Sequence, residues 1–430
     1  MLPVPGNFAV LCELITYTAE NSAFYARKWA DIGCSAVPSS PEDFATRFPF
    51  TTKAELAADQ SAHPPYGTAL NRPVSEYLRC HHTSGSTGSP IRWLDTASDW
   101  SALTDDWVTV FQAAGVTRSD RVFVAFSFGP FLGFWLAFEA AQRLGCLTLP
   151  GGGMSSSLRA RALLDNRCTI LCGTPTYLLH LAAAAQEAEI DLTASGVRLL
   201  LVAGEPGGSL PAVRQRISQA WPGARVFDHH GMTETGPVSY EHPEIPGSLV
   251  VLGRSFWAEI IEPGGRNPVP DGAIGELVLT TLRRRQSPVF RYRTGDLVRA
   301  VRTNSQGTLE VDPTALILEG GILARTDDMV IVRGVNIFPT AVDEIVRGFP
   351  EIGEYRVLED RTSELVEISL QVEAPEGVAE KLSSKLSQRL GIRIPVARVD
   401  PGSLPRYELK ARRWVRRNGQ NDSDDRKNKG

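Results

Sequence analysis

The chain has 430 residues, 42% hydrophobic and 22% charged, with a net charge of -4. That length exceeds what one hydrophobic core usually supports and asks for a large domain plus a smaller one, or two comparable domains. The composition excludes a disordered or fibrous chain, and without a basic surplus neither nucleic acid nor an anionic membrane surface is the expected main partner, which leaves small molecules.

The six cysteines are scattered with no C-x-x-C spacing, so reduced, buried thiols are expected. The N-terminus lacks a basic start and Glu13 interrupts its apolar run, unlike a signal peptide. The longest apolar stretch, residues 131 to 141, carries Glu139 and is soon followed by Arg143, too short and too polar to span a bilayer. The expected compartment is the cytoplasm.

Residues 1 to 75 read as helical and loop-rich, punctuated by Pro38, Pro41 and Pro49. From residue 121 the pattern changes. RVFVAFS (121 to 127), CLTLP (146 to 150), CTILCG (168 to 173), RLLLVAG (198 to 204) and RVFDH (225 to 229) are short apolar runs without alternation, as strands buried on both faces are. Helix-like segments such as LGFWLAFEAAQRLG and TPTYLLHLAAAAQEAE lie between them, and the alternation predicts a parallel sheet covered on both faces by right-handed crossovers. After residue 245 AEIIEP, GELVLTTL, DLVRAV and TLEV are separated by turn residues, which predicts a second sheet or barrel-like subdomain. Beyond residue 325 follow MVIVR, a helix from residue 339 to 349, the strand LVEISLQVE, a helix near 377 to 390 and a last strand VARVD, which together predict a small α+β domain. The tail from Asn418 is too polar to bury anything and is expected to be disordered.

The sharpest local signal is His82-Thr83-Ser84-Gly85-Ser86-Thr87-Gly88-Ser89-Pro90. By composition it fits a flexible linker; by chemistry it fits a loop whose backbone N–H groups and hydroxyls approach phosphate oxygens or magnesium. It is not the G-x-x-x-x-G-K-[ST] loop.

With GMTET at 231 to 235, YRTGD at 292 to 296 and ARTDDMVIVRGVNIFP at 324 to 339, this run resembles the adenylate-forming superfamily of acyl-CoA synthetases, peptide-synthetase adenylation domains and luciferases. Within it the phenylacetate-CoA ligase branch is the most similar, through FPFTTKAEL (48 to 56), AFSFGPFLGFW (125 to 135), PGGG (150 to 153), AGEPGG (203 to 208), AEIIEP (258 to 263), IGELVLTTL (274 to 282) and SLPRYELKARRW (403 to 414). The resemblance implies an α/β fold in which a large N-terminal domain, residues 1–324, has doubly wound sheets plus a β-rich subdomain. A small mobile α+β C-terminal domain, residues 325–417, and the tail, 418–430, complete it.

The implied activity is an AMP-forming acid–thiol ligase. ATP and a carboxylic acid give an acyl adenylate and pyrophosphate, and the acyl group passes to coenzyme A. An acyl carrier protein is the alternative acceptor, and a degenerate, nonenzymatic adenylate-fold binding protein is the alternative class.

The family's roles carry over to matching positions. Thr83, Ser84, Gly85, Ser86, Thr87 and Gly88 form the loop that holds the outer phosphates, with Ser89 where many members have lysine. Gly204 and Glu205 contribute main chain beside adenine. His230 lies against adenine where tyrosine is usual, followed by Gly231. Thr233 contacts the AMP phosphate and Glu234 holds Mg2+. Asp296 accepts from both ribose hydroxyls, which a carboxylate can do at once; alone it also fits a turn beside Gly295. Arg325 reaches the ribose, with Ala324 replacing glycine before it, and Asp327 matches the pivot of the small domain. Lys410, after Leu409 where glycine is frequent, matches the lysine that bridges substrate carboxylate and α-phosphate; its setting in LKARRWVRR also fits a solvated cation. Phe123, Phe126, Phe128, Phe131, Phe134 and Trp135 lie where the branch builds its acyl pocket, although Phe131, Trp135 and Phe138 can also share one helix face as core. Only the loop from Phe128 to Phe131 invites a pocket reading, which suggests an aryl or bulky apolar acid.

Overall fold

The computed structural model describes residues 7–30, 37–83, 90–302, 316–333, 335–360, 366–407 and 411–417. The first helices, Asn7–Asn21, Ala23–Ala30, Pro41–Arg47 and Lys53–Ala62, follow the expected loop-rich pattern. Lys53–Ala62 starts with a capping box: the Thr52 hydroxyl accepts from the Glu55 amide while the Glu55 carboxylate accepts from the Thr52 amide. Two otherwise orphaned donors are satisfied and the helix start is fixed.

An antiparallel hairpin, β1 (Tyr77–His82) and β2 (Arg92–Thr96), brackets the Gly/Ser/Thr run. The helix Ala97–Ala113 follows it. The five apolar runs then become β3 (Arg121–Val124), β4 (Leu147–Pro150), β5 (Ile170–Gly173), β6 (Leu199–Ala203) and β7 (Arg225–Met232), all parallel. Their side chains alternate between two cores. Val122, Val124, Ile170, Cys172, Leu199 and Leu201 meet Trp100, Trp107 and Leu136 on one face. Phe123, Leu171, Leu200 and Val202 meet Leu163, Leu178, Leu181 and Ile217 on the other. Both faces are covered, as runs without alternation require.

The chain then turns back. β8 (Gly236–His242), β9 (Ile245–Val251), β10 (Phe256–Ile261), β11 (Ile274–Thr281), β12 (Tyr292–Arg302) and β13 (Leu316–Arg325) are antiparallel. The β-rich region was expected as a separate sheet or barrel. Instead it continues the same eleven-stranded sheet, in the order β10-β11-β12-β13-β9-β8-β7-β6-β5-β3-β4. The tight β7–β8 hairpin leaves no room for a crossover, so the direction switches while hydrogen bonding continues.

A separate core underlies the C-terminal unit. β14 (Val330–Val332) pairs with β15 (Val335–Ile337), and β16 (Tyr355–Asp360), β17 (Glu367–Glu373), β18 (Val396–Val399) and β19 (Trp414–Arg417) form a four-stranded sheet. The helices Pro339–Arg347 and Val378–Leu390 cover it through Val342, Val346, Leu382 and Leu386. β19 lies in the stretch read from sequence as a basic segment; it pairs parallel with β16 through backbone bonds that its composition does not announce. Among the described residues no helix is long and apolar enough to cross a membrane, and the five described cysteines are free.

Candidate active site

The two halves of the sheet meet at the β7–β8 hairpin, and the turn between them is the GMTET segment. Gly231 has no alternative there, because a Cβ would stand 2.9 Å from the Gly236 carbonyl oxygen. Thr233 and Glu234 occupy the turn. Their carbonyls accept from one guanidinium nitrogen of Arg284, at 2.8 and 3.1 Å. Arg284 is itself held by Asp95 of β2 through two bonds of 2.7 and 2.8 Å, and both side chains are almost fully buried. A bidentate arginine–carboxylate pair thus fixes the turn's backbone and leaves the Glu234 carboxylate to face Lys53, whose Nζ is 3.3 Å from Oε1. Sequence reasoning missed all three partners. Lys53 lies within FPFTTKAEL, where its motif was a signal; Asp95 and Arg284 belong to no quoted motif.

Across β9 from the β7–β8 hairpin, Asp296 of β12 stands opposite Arg325 of β13. Arg325 donates to Asp296 Oδ1 at 2.8 Å and to both Asp327 oxygens at 2.9 Å. His230 Nε2 approaches Asp296 Oδ2 at 3.2 Å, without the alignment of a hydrogen bond, so Oδ2 is buried yet has no aligned donor among the described residues. Burial presses the Asp296 carboxyl upward, but His230 and Arg325 outweigh it and hold it below the usual carboxylate range. For Arg325 burial works against the charge, and Asp296 and Asp327 more than restore it, raising the guanidinium. Gly295, at φ +78, makes the bend that aims this carboxylate, and its carbonyl accepts from Thr326 at 2.7 Å.

Thr83 closes the base of the Gly/Ser/Thr run: its amide donates to the Ile91 carbonyl at 3.0 Å and its hydroxyl accepts from the Ile91 amide at 3.1 Å. Ser84, Gly85, Ser86, Thr87 and Gly88 lie outside the described residues, as do Ser89, Leu409 and Lys410. Gly204 directly follows β6 at φ +94, at the carboxyl edge where open α/β sheets take ligands. Glu205 follows it and uses its side chain as well: Oε1 accepts from the Thr176 amide at 2.7 Å and Oε2 from the Ala411 amide at 3.1 Å.

On the other side of β7 lies an aromatic path. The buried ring of His229 is 4.3 Å from Trp107; Trp107 meets Phe134, Phe134 meets Phe126, and Phe126 meets Phe128 edge to face. Burial pushes His229 down to about 3, so it is neutral, and its Nδ1 has no partner among the described residues. Phe128, at φ 51, sits in a region that bulky residues rarely enter. It is wedged against Trp135 and Phe138, while the Trp135 indole donates to the Gly129 carbonyl. Phe123 is core, fully buried on the opposite face of the sheet. One sequence reading is corrected. Phe131 precedes the helix Trp135–Arg143 and shares no helix face with Trp135, because the left-handed and loop residues from 128 to 134 delay the helix start.

Among the described residues no three His, Cys, Asp or Glu side chains stand together as a metal group. A lone carboxylate such as Glu234 suits magnesium, which is held by one or two carboxylates with substrate phosphates and water rather than by an all-protein cage.

A parallel sheet that turns antiparallel at a carboxylate-bearing turn, with a buried Asp–Arg pair beside it, is the architecture of a nucleotide-using enzyme. The model of the AMP-binding enzyme family matches residues 49–282, and that of the AMP-binding enzyme C-terminal domain matches residues 334–417. The phenylacetate-coenzyme A ligase of Pseudomonas putida is 31% identical over 92% of this chain and 90% of its own. The crystal structure of 2-hydroxyisobutyryl-CoA ligase in the postadenylation state, 30% identical, superposes with a TM-score of 0.88 over 95% of this chain and 88% of its own. The same ligase in its thioesterification state superposes at 0.71, with 31% identity over 95% of this chain and 88% of its own. Because one enzyme supplies both comparisons, the difference reports arrangement rather than sequence. The chain therefore belongs to the AMP-binding enzyme family and is an AMP-forming acid–CoA ligase. ATP and coenzyme A are substrates of that ligase family.

Proposed function

We propose that the ligase activates an aryl or otherwise bulky apolar carboxylic acid and passes it to coenzyme A. The observation that supports the acid's class is the partly exposed aromatic group of Phe126, Phe128 and Trp135 in and beside the loop before the helix Trp135–Arg143. An aromatic acid gains there both burial and edge-to-face contacts, worth about 0.5–1.5 kcal/mol per ring pair beyond area alone; acetate offers neither.

In this reading residues 1–324 bind ATP and acid, residues 325–417 form the small domain, and Asp327 is the pivot between them. Asp296 accepts from the ribose hydroxyls, Arg325 keeps it charged and also reaches the ribose, and His230 lies against adenine with Gly204 and the Glu205 main chain at its edge. Residues 83 to 88 take the outer phosphates. Thr233 contacts the α-phosphate, and Lys53 stands beside the Glu234 that would hold Mg2+. When bound, magnesium neutralises phosphate charge. A carboxylate is a poor electrophile, so the first step joins it to AMP and releases pyrophosphate. The chain's own part is to fix both reactants and aim positive charge at the α-phosphate, chiefly through Lys410. A thiol then displaces AMP.

Pyrophosphate exchange across a panel of aryl, branched and straight-chain acids tests the acid: an aryl or bulky acid is expected to outcompete acetate, and a preference for acetate would overturn the reading. On the best acid, Lys410→Ala should slow adenylate formation by about 10²- to 10³-fold, while transfer from a supplied acyl adenylate persists. Equal loss in both steps, or loss in neither, would remove Lys410 from the role.

A further inference from the structure

Among the described residues few side-chain bonds join the large domain to the C-terminal unit; the Thr340 hydroxyl donates to the Leu323 carbonyl at 2.8 Å, close to the boundary in sequence. Arg216, on the helix Pro211–Ala220, reaches the Ile352 carbonyl at 3.3 Å. It is a long contact at the limit of hydrogen-bond geometry. Glu205 is the stronger case, because its two carboxylate oxygens are divided between the two units. Oε1 accepts from Thr176, in the first turn of the helix Pro175–Glu187, and Oε2 accepts from Ala411. The Thr174 hydroxyl takes the amide of Tyr177, so the carboxylate and the N-cap satisfy successive donors of one helix end. That end also favours negative charge. The carboxylate is thus anchored on the large domain whether or not Ala411 is present.

Ala411 follows Lys410 directly in the sequence. A bond on its amide restrains the chain at Ala411, on a carboxylate two residues past the carboxyl end of β6. We infer that Glu205 is a positioning residue for the first half-reaction: its carboxylate latches the Ala411 amide and so holds the Lys410 segment on the large domain while the adenylate forms. The inference rests on the proposed role of Lys410. It adds a selective element: in the proposed rotation of the small domain Ala411 would leave Glu205, while Thr176, on the large domain, would stay bonded to it. Glu205 therefore stabilises one arrangement and not the other, which is what a residue needs in order to bias a two-state equilibrium.

Both amides are donors, so a carboxylate satisfies them together and a carboxamide satisfies only one. Glu205→Gln is expected to lower the rate of pyrophosphate exchange about tenfold, the scale of one charge-assisted hydrogen bond, with the KM for ATP changed less than twofold. Transfer from a supplied acyl adenylate to coenzyme A should fall less than twofold. If Glu205 only capped its helix, both half-reactions would slow together with a lowered melting temperature, and the latch would be overturned. A double variant, Glu205→Gln with Lys410→Ala, should be no slower in exchange than Lys410→Ala alone; a further tenfold loss would show that Glu205 acts apart from the lysine and would also overturn it. Full exchange activity in Lys410→Ala would instead sink the lysine reading. Small-angle scattering then judges the latch by itself: the Gln variant should shift the ATP-bound protein away from the scattering profile of the parent, and an unchanged profile would refute it.

Discussion

Two aspartate–arginine pairs reach the β7–β8 hairpin, one through the turn carbonyls and one through His230, and have opposite fates. Asp95 and Arg284 are 0% and 1% exposed, and the remaining guanidinium donor is used on the carbonyls of Thr233 and Glu234. Asp296 is equally buried, but Arg325 is 37% exposed and, among the described residues, Oδ2 meets only the unaligned His230 Nε2 at 3.2 Å. The first pair is closed: it can only hold the turn. The second is open on one side, and an unsatisfied buried oxygen is costly unless a ligand completes it. The two pairs share residue types; what separates scaffold from site is whether the hydrogen bonds are already complete.

That contrast can be broken most forcefully at the closed pair. Arg284→Ala leaves a buried carboxylate without its partner and should destabilise the protein by about 3–5 kcal/mol in denaturant titrations. A loss under 1 kcal/mol would show that the pair is no scaffold.

A second test uses pH, since Asp99 supports the same loop by accepting from the Arg285 and Gln286 amides. Burial pushes Asp99 up to about 6, against the pull of Arg284. The folded state then keeps a proton that the unfolded chain releases from about pH 4 upward, so stability falls as pH rises through that window, by on the order of 2 kcal/mol. Asp99→Asn should flatten this slope in melting curves taken from pH 4 to 7. Asp296, held below the usual range, has the opposite sign: its contribution is present above the unfolded value and is lost only as pH falls through its lowered pKa in strong acid.

The smallest effect belongs to the open pair. Asp296→Ala should weaken ATP binding about tenfold by calorimetry while changing stability by less than about 1 kcal/mol, because a ligand contact is removed and no closed network is broken. Unaltered ATP affinity would return Asp296 to the role of a turn residue.

The residues that sequence reasoning found and those it missed divide along the same line. Asp296 was legible because YRTGD places it beside a glycine in a recurring motif, and Glu234 because GMTET follows a strand. Arg284 and Asp95 were not, since their only sign is each other, at a separation of 189 residues. The Glu205 side chain was passed over for the same reason: its second partner, Ala411, is 206 residues away. The aromatic run was read as largely core with the loop from Phe128 to Phe131 set apart, yet the faces its members take were not legible. Strand alternation sends Phe123 to one face of the sheet and Val122 to the other, and the left-handed Phe128 sets where the following helix begins.

The sequence by itself determined the strand–helix alternation, the buried character of the parallel strands, the α+β nature of the C-terminal unit and the order of the nucleotide motifs. These are local properties, set by side-chain periodicity and by turn residues within a few positions of one another. Only the tertiary structure decided that the antiparallel strands extend the parallel sheet, that Lys53 faces Glu234, that one Asp–Arg pair is closed and the other open, and that Glu205 joins the large domain to Ala411. Each of these depends on where distant segments meet, on strand register and on which donors are already taken. No short window of sequence encodes those quantities, because they are settled by packing and hydrogen-bond completion across the whole chain.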